Sequence, residues 1–162
     1  MNKVNDVVIE GARIGFKNFS GKGGKFNIEG NRNFTIFLEP DLASKLLSEG
    51  WNVKIIKSSI DDSEQAILQV KVSYGNYPPK IILISSKGRT PISEENCSLL
   101  DYGEFSNIDL IIRPYTWEVN GKNGIKAYLK TMYITLKEDP LELKYSEGPD
   151  SALSILQESA SN

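Results

Sequence analysis

The residues of this chain best suited to chemistry form two short sets of rings and cations: Arg113, Tyr115 and Trp117, and Lys126, Tyr128 and Lys130. Each set is spaced by two, so on a β-strand its members share one face. Aromatic faces stack on nucleobases and cations neutralise phosphates, so a surface combining them is a platform for single-stranded nucleic acid. A second group lies earlier in the chain. Between Gly11 and Asn33 stand Arg13, Lys17, Lys22, Lys25 and Arg32 against one acid, Glu29, with Phe16, Phe19 and Phe26 interleaved. Of the three rings, Phe19 and Phe26 are taken as contacts, with the glycines of this stretch allowing close backbone approach.

Both sets have a plainer reading. Tyr115, Trp117 and Tyr128 could be core residues flanked by Lys and Arg stems lying along apolar surface. The phenylalanines could fold back beneath a solvated loop.

The elements that must position these residues are legible as patterns. Residues 107–137 read as a long β-hairpin with arms of about Ile108 to Val119 and Ile125 to Leu136. Asn120-Gly121-Lys122-Asn123-Gly124 supplies the turn, because Asn and Gly tolerate the positive φ that hairpin turns need. An even-length loop puts the two triplets on one face, pairing Trp117 with Lys126, Tyr115 with Tyr128 and Arg113 with Lys130. An odd-length loop puts them on opposite faces.

Other strands are expected at about 5–16, bent at Gly11, and at 34–38, 51–57, 66–74 and 80–85. Pro40 to Glu49 reads as a helix, with Pro40 in the first turn, Asp41 near the N-terminus and Gly50 as the stop. A short helix is expected over SEENCSLLD (93–101), and 17–33 and 87–92 read as loop and turn. The class is mainly β (β-rich α+β). An OB-like antiparallel Greek-key barrel of about seven strands with one or two short helices fits best.

Bulk properties narrow the function. The chain has 162 residues, a formal charge of −2, no histidine and one cysteine. Without histidine there is no Ser-His-Asp or Cys-His arrangement and no Cys/His zinc site. A lone Cys97 forms no internal disulfide, and burial as a small hydrophobe is its expected role. The glycine-rich FSGKGGKF is no phosphate loop, since Phe16 stands where the motif needs Gly and Gly23 where it needs Ser or Thr. No catalytic residue, metal or cofactor is expected. No membrane span or leader is evident, which makes the bacterial cytoplasm the expected location.

The charge is unevenly spread. From Glu138 onward there are six acids and one base, leaving the first 137 residues at +3. This divides the chain into an OB-like nucleic-acid-binding domain at 1–139 and an acidic, Ser-rich, mobile tail at 140–162. A weak helical turn is expected near Leu153, Ile155 and Leu156.

Several segments together resemble the single-stranded DNA-binding proteins of bacteriophages and prophages. These are Gly21 to Asn27, Gly30 to Phe34, Ile112 to Tyr115, Trp117 to Lys122 and Ile125 to Thr131. The resemblance implies DNA binding without sequence preference in phage replication or recombination, with an acidic carboxyl end that meets replication or recombination proteins. This tail differs from that pattern in ending on Ala160-Ser161-Asn162, without a terminal aromatic.

The expected nucleic-acid-binding residues are therefore Lys17, Phe19, Lys22, Lys25, Phe26, Arg32, Arg113, Tyr115, Trp117, Lys122, Lys126, Tyr128 and Lys130. The pattern does not distinguish DNA from RNA, and it leaves a homo-oligomer open. The alternative is a phage-encoded protein-interaction module that inhibits or recruits a host protein. A carboxylate enzyme with a bound metal stands behind both.

Overall fold

A computed structural model describes residues 4–25 and 27–145, together with Leu153, Leu156, Gln157 and Ala160. Nine strands make one sheet: β1 (Val7–Ile9), β2 (Arg13–Asn18), β3 (Arg32–Leu38), β4 (Lys54–Lys57), β5 (Glu64–Val72), β6 (Lys80–Ser85), β7 (Gly88–Ile92), β8 (Phe105–Val119) and β9 (Lys122–Leu136). The named helices among the described residues are α1 (Pro40–Glu49), a short 3-10 helix (Cys97–Asp101) and α2 (Pro140–Tyr145), and Leu153, Leu156, Gln157 and Ala160 are helical as well.

The excess over seven strands has two sources. The first strand is split at Gly11, whose φ of +59° turns the chain between β1 and β2. Gly88–Ile92, expected as a turn, pairs with β6 as β7.

The main path runs β1-β8-β9-β5-β3-β2. Its two ends are the halves of one bent strand, β1 on β8 and β2 on β3, so the sheet curls back on itself. Most pairings are antiparallel, but β9 runs parallel to β5 over two residue pairs and parallel to β6 over five. Parallel pairs need a long crossover connection, and the chain between β5 or β6 and β9 supplies one.

Alternation fills the interior. Phe34, Ile36 and Leu38 of β3, Leu68, Val70 and Val72 of β5, and Ile108, Leu110 and Ile112 of β8 are buried together. On β9 the buried set shifts from odd (Ile125, Ala127, Leu129) to even (Met132, Ile134, Leu136). A bulge causes the shift: Ile112 faces Leu129 whereas Ile111 faces Thr131.

Helix α1 has the expected bounds. Pro40 opens it, and Gly50 at φ +95° closes it by donating its N–H to Leu46 and Leu47 carbonyls. Leu46 is fully buried. Cys97 is likewise fully buried and opens the 3-10 helix.

Most of the acidic tail, and its expected mobility, lies outside the described residues. Among those described, Leu156 is fully buried in the core cluster and Leu153 packs against it.

Candidate nucleic-acid interface

The hairpin turn is Asn120-Gly121 alone, with φ of +52° and +80°. Positive φ at both central residues is the geometry that matches strand twist. The loop is thus even, and the two triplets fall on one face. Their pairing is two residues away from the expected one. Trp117 faces Gly124, Tyr115 faces Lys126 and Arg113 faces Tyr128, because the first Asn-Gly step turns the chain while the second is absorbed into β9.

This face points away from the core. Tyr115 is 52% exposed. Its ring stacks on that of Tyr128, diagonal to it, with centroids 5.3 Å apart and planes 25° apart. Lys71 Nζ lies 5.9 Å from the Tyr128 centroid, and Arg113 Cζ lies 4.9 Å from that of Tyr77. Tyr77, in the loop after β5, is 70% exposed.

Trp117 departs from the expectation of an outward ring. Its indole lies against the backbone of Gly124, where an added Cβ would stand 2.8 Å from Cζ2. The residue is half-buried, and its Nε1 is enclosed without a hydrogen-bond partner among the described residues.

Beside the tyrosine pair the sheet forks. One edge of β5 pairs first with β4 (Ile67 with Lys54) and then with β9 (Val70 with Ala127). Between the two partners lies a groove of about 330 Å³. Its walls carry Lys54, Lys71 and Lys126 with the amides of Asn33, Asn52 and Gln69, and no carboxylate among the described residues lines it. Three cations around an opening of this size attract an anionic chain, and low-dielectric walls concentrate that field.

Sequence reasoning missed Lys54, Lys71, Tyr77 and these amides. The available signal was the alternation of Ile67, Gln69 and Lys71 in β5, opposite buried Leu68 and Val70. Using it required knowing that β5 adjoins β9.

The amino-terminal set is dispersed. Phe19 is a correction: it is fully buried and stacks on Phe34 at 5.3 Å. Two of its backbone groups are also occupied, the N–H by Asp101 Oδ1 at 2.6 Å and the carbonyl by Arg32 Nε at 2.9 Å. Arg32 is engaged within the fold. It spends its guanidinium on that carbonyl, on Glu94 at 3.7 Å and on the Tyr74 ring.

Lys17 is half-buried and engaged as well. Its Nζ donates to the Leu100 carbonyl at 3.0 Å and sits 4.7 Å from the Phe105 ring centroid. Burial pushes its pKa below the usual lysine value, partly offset by Asp101. Lys130 is exposed and paired with Asp6 at 2.6 Å.

Lys22 and Lys25 are exposed on the Gly-rich loop. That loop is braced internally. The Asn27 side-chain nitrogen donates to the carbonyls of Lys22 and Asn31, and its oxygen accepts from Asn31 and Asn33. Phe26 lies outside the described residues. Lys122 is exposed beside the hairpin turn.

Among the described residues no helix is long and apolar enough to cross a membrane, and no group of three potential ligands is placed to hold a metal ion.

The fold is similar to that of the single-stranded DNA-binding protein from bacteriophage Enc34, solved in complex with ssDNA. That likeness has a TM-score of 0.56 at 15% identity, over 84% of this chain and 89% of that one. A second structure of the Enc34 protein gives 0.52 at 15% identity, over 100% and 97%. At such identity the likeness is one of fold. No curated protein matches the chain in sequence. The match that decides membership is a family model aligned to residues 1–161, and by it the chain belongs to the phage ssDNA-binding domain family.

Proposed function

We propose that this protein binds single-stranded DNA without sequence preference, on the outer face of the barrel from the forked groove to the hairpin. Tyr115 and Tyr128 offer stacking surfaces. Lys54, Lys71, Lys126 and Arg113 follow the phosphates, with Lys122 at the hairpin end of the path and Lys22 and Lys25 on the braced loop. The observation that carries this reading is the stacked tyrosine pair beside a groove lined by three lysines and no carboxylate. Stacking and charge neutralisation need no bond-making group, so the protein acts as a binder and not as a catalyst. The setting is phage replication or recombination in the host cytoplasm, where the acidic carboxyl end would meet basic surfaces of partner proteins.

Titrating oligo-dT against intrinsic tryptophan fluorescence tests this. Trp117 is half-buried beside the platform, whereas Trp51 is buried. Log affinity should fall linearly with log salt, with a slope of about −3 if roughly four phosphates are neutralised at ~0.7 each. Absence of binding at low salt would reject the reading.

A further inference from the structure

Strict alternation along β2 would send Arg13 and Gly15 outward and Ile14 and Phe16 inward. Arg13 and Gly15 do share the outer face, paired with Phe37 and Thr35. Phe16 breaks the pattern. The register shifts between Gly15 and Asn18, and Phe16 takes a left-handed backbone with φ +48°. Its side chain is thereby turned out of the barrel and left 71% exposed.

Left-handed φ is rare for a bulky residue, and such strain collects at functional positions. The ring lands 6.0 Å from that of Phe37, tilted by 55°. Phe37 alternates with buried Ile36 and Leu38 and so faces outward too. Gly15 makes room for it, since a Cβ there would stand 2.6 Å from Phe37 Cε2.

The same face continues through Thr35 of β3 and Gln69 and Lys71 of β5 to Tyr128 and Tyr115. From β2 to β8 the path crosses four strand intervals, about 19 Å along the curved sheet at ~4.8 Å each. The groove lies between its two aromatic ends.

We propose that Phe16, backed by Phe37, is a second base-stacking station that terminates the single-strand path at the end opposite the tyrosine pair. This rests on the DNA-binding reading above and extends it by setting the length of strand engaged. Short oligonucleotides are held by the tyrosines and groove alone, and longer ones also reach Phe16.

The test compares oligo-dT of increasing length, from about four to about sixteen nucleotides, on wild type, Phe16→Gly and Phe16→Trp. Glycine removes the ring and also suits the left-handed backbone, so Phe16→Gly should keep or raise the melting temperature. Its affinity should match wild type on the shortest bound oligomers and fall about tenfold on the longest, and its occluded length should shrink. Phe16→Trp should retain or strengthen long-oligomer binding. If Phe16→Gly binds every length as wild type does, or loses affinity equally at all lengths, the station does not exist. If the wild type binds no oligomer, it is the underlying DNA reading that fails instead.

Discussion

Lys71 shows what single residues contribute here. It pairs in register with Tyr128 across a parallel seam of two residue pairs, and its ammonium sits near that ring while also lining the groove. An exposed lysine in that place can neutralise one phosphate. Lys71→Ala should therefore make the salt slope of oligo-dT binding shallower by about 0.7, with little change in melting temperature. Lys17 was an equally attractive candidate in sequence, but its charge is spent on Leu100 and a half-buried niche. Lys17→Met should leave affinity and slope unchanged, and a slope altered by both substitutions would contradict the division drawn between them. The phenylalanines teach the same lesson. Phe16 and Phe19 are three residues apart in one glycine-rich stretch, yet Phe19 is sealed in the core and Phe16 projects. Periodicity could not separate them, because a backbone in an unusual φ region reverses the facing of Phe16, and nothing in residue type announces that a non-glycine will adopt it.

At the scale of elements, the hairpin was the most legible part of the chain. Two 15-residue arms, β-branched and aromatic, flank an Asn-Gly step, and a local turn rule sufficed to find them. What the rule left open was which of two Asn-Gly steps turns the chain. Packing selected the first. With that register Gly124 faces Trp117, and the indole occupies the space a side chain would need. The second glycine is thus a seat for a ring and not a turn residue. Gly124→Ala should displace the indole, costing about 1–3 kcal/mol in chemical denaturation and shifting the tryptophan emission. Gly121→Ala meets nothing within 4 Å but sits at φ +80°, so it should cost about 1–2 kcal/mol with an unchanged emission spectrum. Equal spectra for the two variants would mean that the indole does not rest on Gly124. The parallel seam joining β9 to β5 and β6 was not legible, since it joins strands remote in sequence and leaves no mark on either one.

The whole molecule separates its two ends along β9. Lys126 lies near the start of that strand and Leu136 closes it, about 34 Å away at ~3.4 Å per residue if fully extended. The proposed binding face occupies the first end. The second receives Leu156, whose Cδ2 would stand 2.6 Å from a Cβ at Gly103, itself at φ +82° and close to Leu136. A segment that composition marked as solvated tail thus contributes a fully buried leucine to the body. Acid and serine content describes how a stretch averages over its length, and it hides one apolar side chain that meets a matching gap. Removing three carbons from a sealed site usually costs about 2–5 kcal/mol, including the cavity left behind. Leu156→Ala should therefore lower the denaturation midpoint by a corresponding amount. Because this anchor is at the far end of β9 from Lys126 and Tyr128, the folded variant should bind oligo-dT with wild-type affinity and salt slope. A stability loss with binding preserved would mark Leu156 as a clasp on the barrel base. A gain in affinity from the same substitution would show that docking of the carboxyl segment and occupancy of the groove compete, and the two ends would then have to be treated as coupled.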